Sequence, residues 1–365
     1  MKKFLAFALA ITLFFTACGG STAAPAADPG ASDSSAASDS AAAPAAPADD
    51  GADAAAPKRI ALVCDEAGTQ VFVLMMIEGL REAAAQFGFE PIIVECADSA
   101  AYEDNIRALV QEQTDLIIVG GWIGGDALNK IAQEFPDSAH YALIDSTVEA
   151  ENVKCIAYRE QEGAYLIGMI ASSMVDAGQE VFGAVHVNQG PGSWKWRYGF
   201  MEGVKTGHPG ASFVFNYVGG YNDPVKAKEF AILQYEQGAR FINAACAGGD
   251  VGVFEAALER SFYTSGQDVD LTNPNNPYIV SSQIKDTKGT VKYLLEQYFT
   301  TEWTHDNEVW GISEGTIGAV HITHDSPNPI HERLSGDVLA NIKQAADDIR
   351  TGKLNLTDMP AEEDY

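Results

Sequence analysis

The chain has 365 residues with 23 Lys+Arg against 51 Asp+Glu, a formal net charge of −28 at pH 7. A body this acidic repels phosphate backbones and anionic lipid surfaces, which excludes nucleic-acid binding and adsorption to a membrane through a basic patch. The length suits two domains of ordinary size, and 46% hydrophobic residues can supply a core for each.

Lys2 and Lys3 precede an apolar run over residues 4–15, shorter than the ~20 residues a membrane span needs. Small residues follow and end in Thr16-Ala17-Cys18, with Phe15 where Leu is commonest in a lipobox. The pattern predicts a bacterial lipoprotein signal peptide over residues 1–18, cleaved before Cys18. The Cys18 thiol would carry a diacylglycerol, and several acyl chains together anchor durably where one chain binds only marginally. Residues 19–57 hold only Ala, Ser, Asp, Pro, Gly and one Thr. They cannot bury enough apolar surface to offset their ordering entropy, so they read as a disordered tether of roughly 35 Å. The expected location is the extracytoplasmic face of the cell membrane, held by lipid.

From Lys58 onward strands and helices alternate. Residues 59–64 read as a strand, 77–87 as a helix, 91–95 as a strand and 102–113 as a helix. A buried-type strand at 115–120, a helix at 127–135 and a strand at 139–144 follow. The rhythm restarts after a long helix near 163–175. Strands are expected at 181–187, 212–218, 240–246 and 278–284, with helices at 196–207, 224–238, 252–260, 287–299 and 337–350. The run 262–270 is a poor strand by composition. Apolar strands without polar alternation, separated by amphipathic helices, indicate parallel sheets covered on both faces. Ligands of such sheets bind outside the carboxyl ends of the strands, and two lobes facing each other make a cleft that can close.

Cys64, Cys96, Cys155 and Cys246 lack C-x-x-C spacing and read as buried thiols, with one disulfide left open. The zinc-protease, P-loop and dinucleotide-binding motifs are absent from the sequence. Gly120-Gly121 and Gly124-Gly125 around Trp122-Ile123 suit a tight loop at a cleft rim. His321, His324 and His331 are too loosely grouped for a zinc site. Glu160 and Glu162 suit hinge or surface roles better than acid–base work. The expected function therefore involves no catalysis, no cofactor and no metal.

Five segments carry a resemblance. They are Asn152-Val-Lys-Cys-Ile156 with Glu160-Gln-Glu-Gly-Ala-Tyr-Leu-Ile-Gly168; Trp196-Arg-Tyr-Gly-Phe-Met-Glu-Gly-Val-Lys205; Tyr221-Asn-Asp-Pro-Val-Lys-Ala-Lys228; Ala244-Ala-Cys-Ala-Gly-Gly-Asp-Val-Gly-Val-Phe254; and Gly315-Thr-Ile-Gly318. In this order they resemble the basic membrane protein family, the PnrA-like substrate-binding lipoproteins of ABC transporters, over nearly the whole body from residue 59 to 356. The resemblance implies an α/β fold of periplasmic-binding-protein type I, two doubly wound parallel-sheet lobes with a hinged cleft. It places one lobe at 58–160 plus about 285–312 and the other at 161–284 plus about 313–356.

The resemblance further implies a nucleoside, purine favoured, stacked between aromatic rings with its ribose held by carboxylates and a lysine. Carried over residue by residue, the ligand-binding set is Asp65, Phe72, Asp126, Trp196, Phe254, Asp268 and Lys285. Asp126 can reach the base or cap its helix, and Trp194 competes with Trp196. Val73 stands where the family has Asn, which deletes a polar contact, and Gly249-Asp250-Val251-Gly252 replaces the family's Gly-Thr-Gly. The implied partners are a small-molecule ligand and an ABC permease, with the protein acting as a monomer. A sugar or another small polar ligand is the alternative, and an extracytoplasmic hydrolase on the same lobes a remote one.

Overall fold

Ile60 through Val63 and Leu116 through Val119 are fully buried. Apolar runs of this kind need cover on both faces, and a parallel sheet between two helical layers gives it. The computed structural model describes residues 57–365. The signal peptide, Cys18 and all but the last residue of the tether lie outside the described residues. Strands β1 (Arg59–Asp65), β2 (Glu90–Cys96), β3 (Leu116–Gly120), β4 (His140–Ile144) and β5 (Val153–Tyr158) form a first sheet. Strands β6 (Val181–His186), β7 (Ser212–Tyr217), β8 (Phe241–Ala245), β9 (Tyr263–Asp268) and β10 (Ile279–Lys285) form a second. The short β11 (Glu308–Trp310) returns to the first sheet in parallel, and β12 (Ile317–Ala319) closes the second antiparallel to β10.

Both sheets have the same core order, β2-β1-β3-β4-β5 and β7-β6-β8-β9-β10. Two doubly wound lobes therefore repeat one topology. Helices α1 (Val71–Phe87), α2 (Ser99–Gln111) and α3 (Gly125–Glu134) belong to the first lobe. Helices α4 (Glu160–Met174), α5 (Pro191–Lys205), α6 (Pro224–Glu236) and α7 (Asp250–Arg260) belong to the second. Helix α8 (Thr287–Thr300) goes back to the first lobe, where the Thr287 hydroxyl donates to the Phe72 carbonyl at 3.0 Å. Helix α9 (Gly336–Arg350) packs on α4 in the second lobe.

The chain passes between lobes at residues 158–160, 285–287 and 310–317. Hydrogen bonds tie the three passages side by side. Arg159 N–H donates to the Trp310 carbonyl (2.7 Å) and Asp286 N–H to the Thr316 carbonyl (2.8 Å). The Arg159 guanidinium binds Glu162 (2.6 Å), Ser313 (2.9 Å), Glu314 and the Val309 carbonyl. The other Glu162 oxygen accepts from Ile312 N–H at 2.7 Å. Glu162 is thus a hinge residue.

Several elements depart from their sequence expectations for identifiable reasons. Helix α1 starts at Val71 rather than 77 because its N-cap, Gln70, makes no side-chain cap bond and so leaves no capping signature. Helix α5 starts at Pro191, where flanking glycines mask the start that proline at N1 marks. The polar run 262–270 contains β9, a strand buried from Thr264 to Asp268. Its hydroxyls are satisfied inside the sheet: Thr264 donates to the Ile242 carbonyl (2.7 Å) and Ser265 to Asn243 (2.7 Å). Strands β11 and β12 are too short to show alternation. The four described cysteines are buried and free. No described helix is long and apolar enough to cross a membrane.

Helices α4 and α5 touch backbone to backbone. A Cβ on Gly168 would lie 2.2 Å from the Phe200 carbonyl oxygen, and one on Gly203 2.1 Å from that of Tyr165. Backbone cannot rotate aside as a side chain can. Gly168→Ala is therefore expected to cost at least about 3 kcal/mol, read as a lower urea midpoint with an unchanged slope.

Candidate functional site

A cavity of about 480 Å³ lies between the lobes. Its walls come from the carboxyl ends of strands in both sheets, where open α/β sheets bind ligands. The first lobe contributes Asp65 at the end of β1, Gln70 and Phe72 at the start of α1, Trp122 after β3, and Asp145 to Thr147 after β4. The second lobe contributes Glu160, His186 to Ser193, Lys195, Trp196, Tyr221, Gln267, Asp268 and Lys285. The rim opposite the hinge is bridged. Trp122, 53% exposed, donates its indole N–H to the Tyr221 hydroxyl at 2.9 Å, and Thr69 meets Asn222 at 3.3 Å.

Lys285 organises the floor. It is 5% exposed, ion-pairs with Asp145 and lies 3.1 Å from Glu160 Oε1. The Asp145 contact is an ion pair without hydrogen-bond geometry. Burial opposes the Lys285 charge, but Asp145, Glu160 and Asp268 outweigh it and hold the ammonium protonated well above its usual range. Its Nζ sits 5.2 Å from the Phe72 ring centroid and 5.0 Å from that of Tyr158. The other Glu160 oxygen binds Lys195 at 2.9 Å, and Lys195 also donates to the Tyr158 carbonyl at 2.7 Å. Burial works against Glu160 ionisation, yet the two lysines hold its carboxyl below the ordinary value.

The remaining acids keep oxygens free. Asp268, 3% exposed, accepts from Gln267 at one oxygen (3.0 Å), and Asp65 accepts from the Tyr102 hydroxyl at one oxygen (2.8 Å). Burial raises both carboxyls above their usual range, against Lys285 in the first case and Tyr102 in the second. Burial, helped by Arg197, pushes the His186 imidazole down to about 3, so it stays neutral. Its Nε2 has no hydrogen-bond partner among the described residues. Asp65, Asp145, Glu160 and Asp268 outnumber Lys195 and Lys285, so the lining is acidic overall.

Asp65, Phe72, Trp196, Asp268 and Lys285 thus share one cavity. Asp126 and Phe254 do not line it, which corrects their placement from sequence. Asp126 is exposed in the first turn of α3 and makes no capping hydrogen bond; its charge faces the positive end of the helix. Phe254 is half-buried on α7 and packs against the second-lobe apolar cluster that includes Ala227, Ala231, Val253 and Ala257. Trp194, the competitor of Trp196, points away and donates to the Pro360 carbonyl at 2.9 Å. Glu160 is a wall residue rather than a surface or hinge carboxylate. Asp145, Lys195, His186 and Tyr221 were missed, and Trp122 was read only as part of a cleft-rim loop. A position at or just past a strand's carboxyl end was the available signal for Asp145, His186 and Trp122.

The family model for ABC transporter substrate-binding proteins of the PnrA-like type (Bmp) matches residues 59–351. The chain belongs to this family. Among similar proteins, basic membrane protein A2 of Borrelia garinii is 25% identical, over 73% of this chain and 81% of its own. An uncharacterized lipoprotein of Pyrococcus furiosus is 29% identical over 66% of this chain, and the chain spans 64% of that protein's length. A crystal structure of an ABC transporter solute-binding protein from Aeropyrum pernix superposes with a TM-score of 0.74 at 22% identity, covering 84% of this chain and 95% of that one. One from Conexibacter woesei gives 0.63 at 24% identity, covering 82% and 99%. The PnrA-like chain therefore has the periplasmic-binding-protein type I fold, two parallel-sheet lobes around a cleft. Residues 352–365 lie outside the family match.

Proposed function

We propose that this solute-binding protein is a lipid-anchored receptor on the extracytoplasmic face that captures a nucleoside, purine favoured, and presents it to an ABC permease. One observation carries the reading: Phe72 and Trp196, from opposite lobes, share a cavity with Asp65, Asp268 and Lys285. Two rings can stack on a base, at about 1–3 kcal/mol per stacked base. Buried carboxylates with a free oxygen suit the vicinal hydroxyls of a pentose, because charge-assisted hydrogen bonds are the stronger kind. The acidic lining opposes phosphate, which favours a nucleoside over a nucleotide. The signal pattern ending at Cys18 and the lipoprotein names of relatives support the anchor. The protein would act as a monomer.

Thermal-shift screening of the detergent-solubilised chain with purine and pyrimidine nucleosides, free bases, nucleotides and sugars tests this. A nucleoside at 100 times its dissociation constant should add about 2.7 kcal/mol of stability. Its phosphorylated form should add little. A larger response to sugars, with none to nucleosides, would replace the ligand class.

A further inference from the structure

Past Val187, the cavity wall after β6 is exposed at Gln189, Pro191 and Gly192. Residues 187–193 line the cavity through Val187, Asn188, Gln189, Gly190 and the start of α5. Val187 packs against the second-lobe core and its carbonyl accepts from Gly219 N–H at 2.6 Å, but a Cβ added at Gly190 or Gly192 would meet nothing within 4 Å, so the stretch beyond Val187 has open space beside both glycines. Gln189 is exposed. Its side-chain amide donates to Glu362 at 3.0 Å.

Glu362 belongs to the segment 357–365, beyond the family-matched residues. Its carboxylate takes a two-pronged bond from Arg197, at 2.6 and 2.8 Å. Arg197 is buried on α5, one residue after Trp196, with its guanidinium over the rings of Trp194 (5.3 Å), Phe215 (5.8 Å) and Tyr217 (5.6 Å). The segment is pinned at both ends of this contact. The Pro360 carbonyl accepts from Trp194, and the Tyr365 hydroxyl donates to Glu202 at 2.6 Å. A paired Arg–carboxylate fork fixes direction as well as distance. One carboxylate therefore contacts both Gln189 of the 187–193 wall and Arg197, one residue after Trp196.

We propose that Glu362 is a positioning residue for the ligand cavity: the segment 360–365 is a strap that holds the 187–193 wall and the first turns of α5 in their binding geometry. The proposal rests on this cavity being the ligand site, not on which ligand it takes. A conformationally loose wall lowers apparent affinity, because only the ordered fraction binds.

The test compares the full chain in detergent with Glu362→Gln, Glu362→Asp and Gln189→Ala. Backbone amide exchange of peptides covering 187–196 should accelerate about tenfold in Glu362→Gln, in line with loss of a charge-assisted bond. Peptides from β1 and β3 should keep their wild-type exchange. Glu362→Asp should restore part of the protection, and Gln189→Ala, an exposed change that leaves Arg197 paired, should loosen 187–193 alone. Inosine and adenosine affinities should fall about tenfold in Glu362→Gln, measured where its melting curve shows it fully folded. Wild-type exchange of 187–196 in both Glu362→Gln and Gln189→Ala overturns the strap. If neither nucleoside binds the wild-type chain, the nucleoside reading fails, and the exchange result still decides the strap.

Discussion

Lys285→Met is expected to destabilise the protein by about 3–5 kcal/mol near pH 8 and far less near pH 4. The substitution keeps most of the aliphatic stem and removes the buried cation. Asp145 loses its ion pair, Asp268 loses the ammonium that opposes its burial, and Glu160 keeps only Lys195. Burial already raises the Asp145 and Asp268 carboxyls above their ordinary value while Lys285 is in place. Without the lysine both rise further. Between the ordinary value and the raised one, the folded state keeps a proton that the unfolded chain has released, so stability falls as pH rises through that window. Below it both states are protonated and the penalty disappears. Thermal melts of wild type and variant from about pH 4 to 8 should show a gap in melting temperature that widens with pH. A gap independent of pH would assign the loss to packing of the stem instead of charge.

Phe72→Ala and Asp268→Asn are each expected to remove about half or more of the ligand-induced stabilisation while leaving the fold in place. Phe72 is partly buried, and the hydrogen bond that docks α8 there uses its backbone carbonyl, which any side chain retains. Losing one stacking face should weaken binding by about tenfold or more. Asp268 sits in the left-handed region with φ 68°, which asparagine tolerates better than alanine does. Asparagine therefore removes the charge at little backbone cost, and replacing a charge-assisted bond should cost about 10–100-fold in affinity. Titration calorimetry with the best ligand from the screen measures both. Wild-type affinity in both variants would place the binding site outside this cavity.

Three devices serve the cavity, each built from residues far apart in sequence. The hinge fixes where the lobes pivot, through Arg159 and Glu162 reaching the 309–314 passage. The Lys285 cluster joins strand ends of both lobes, since Asp145 follows β4 and Glu160 opens α4. The Trp122–Tyr221 bond bridges the far rim. Together they bound a space whose free acceptors include the spare oxygens of Asp65 and Asp268.

Alternating apolar runs and amphipathic helices were enough to establish two doubly wound lobes, because side-chain period and strand burial are local properties of the chain. The ordered motifs established the family for the same reason. The acidic balance was also readable, whereas Asp65, Asp268 and Lys285 came from the resemblance to the family, and the strand that ends in Asp268 did not show in the composition of 262–270. Which helical residues face the cavity was not readable. Each residue turns about 100° around a helix axis, so Phe254 and Trp196 look alike in sequence, yet one packs against the core and the other lines the cleft. Nor could local pattern reveal that Lys285 would meet Asp145 and Glu160, or that Glu362 would reach Gln189 and Arg197. Those meetings depend on how the chain crosses between lobes and folds back on itself, and only tertiary packing sets them.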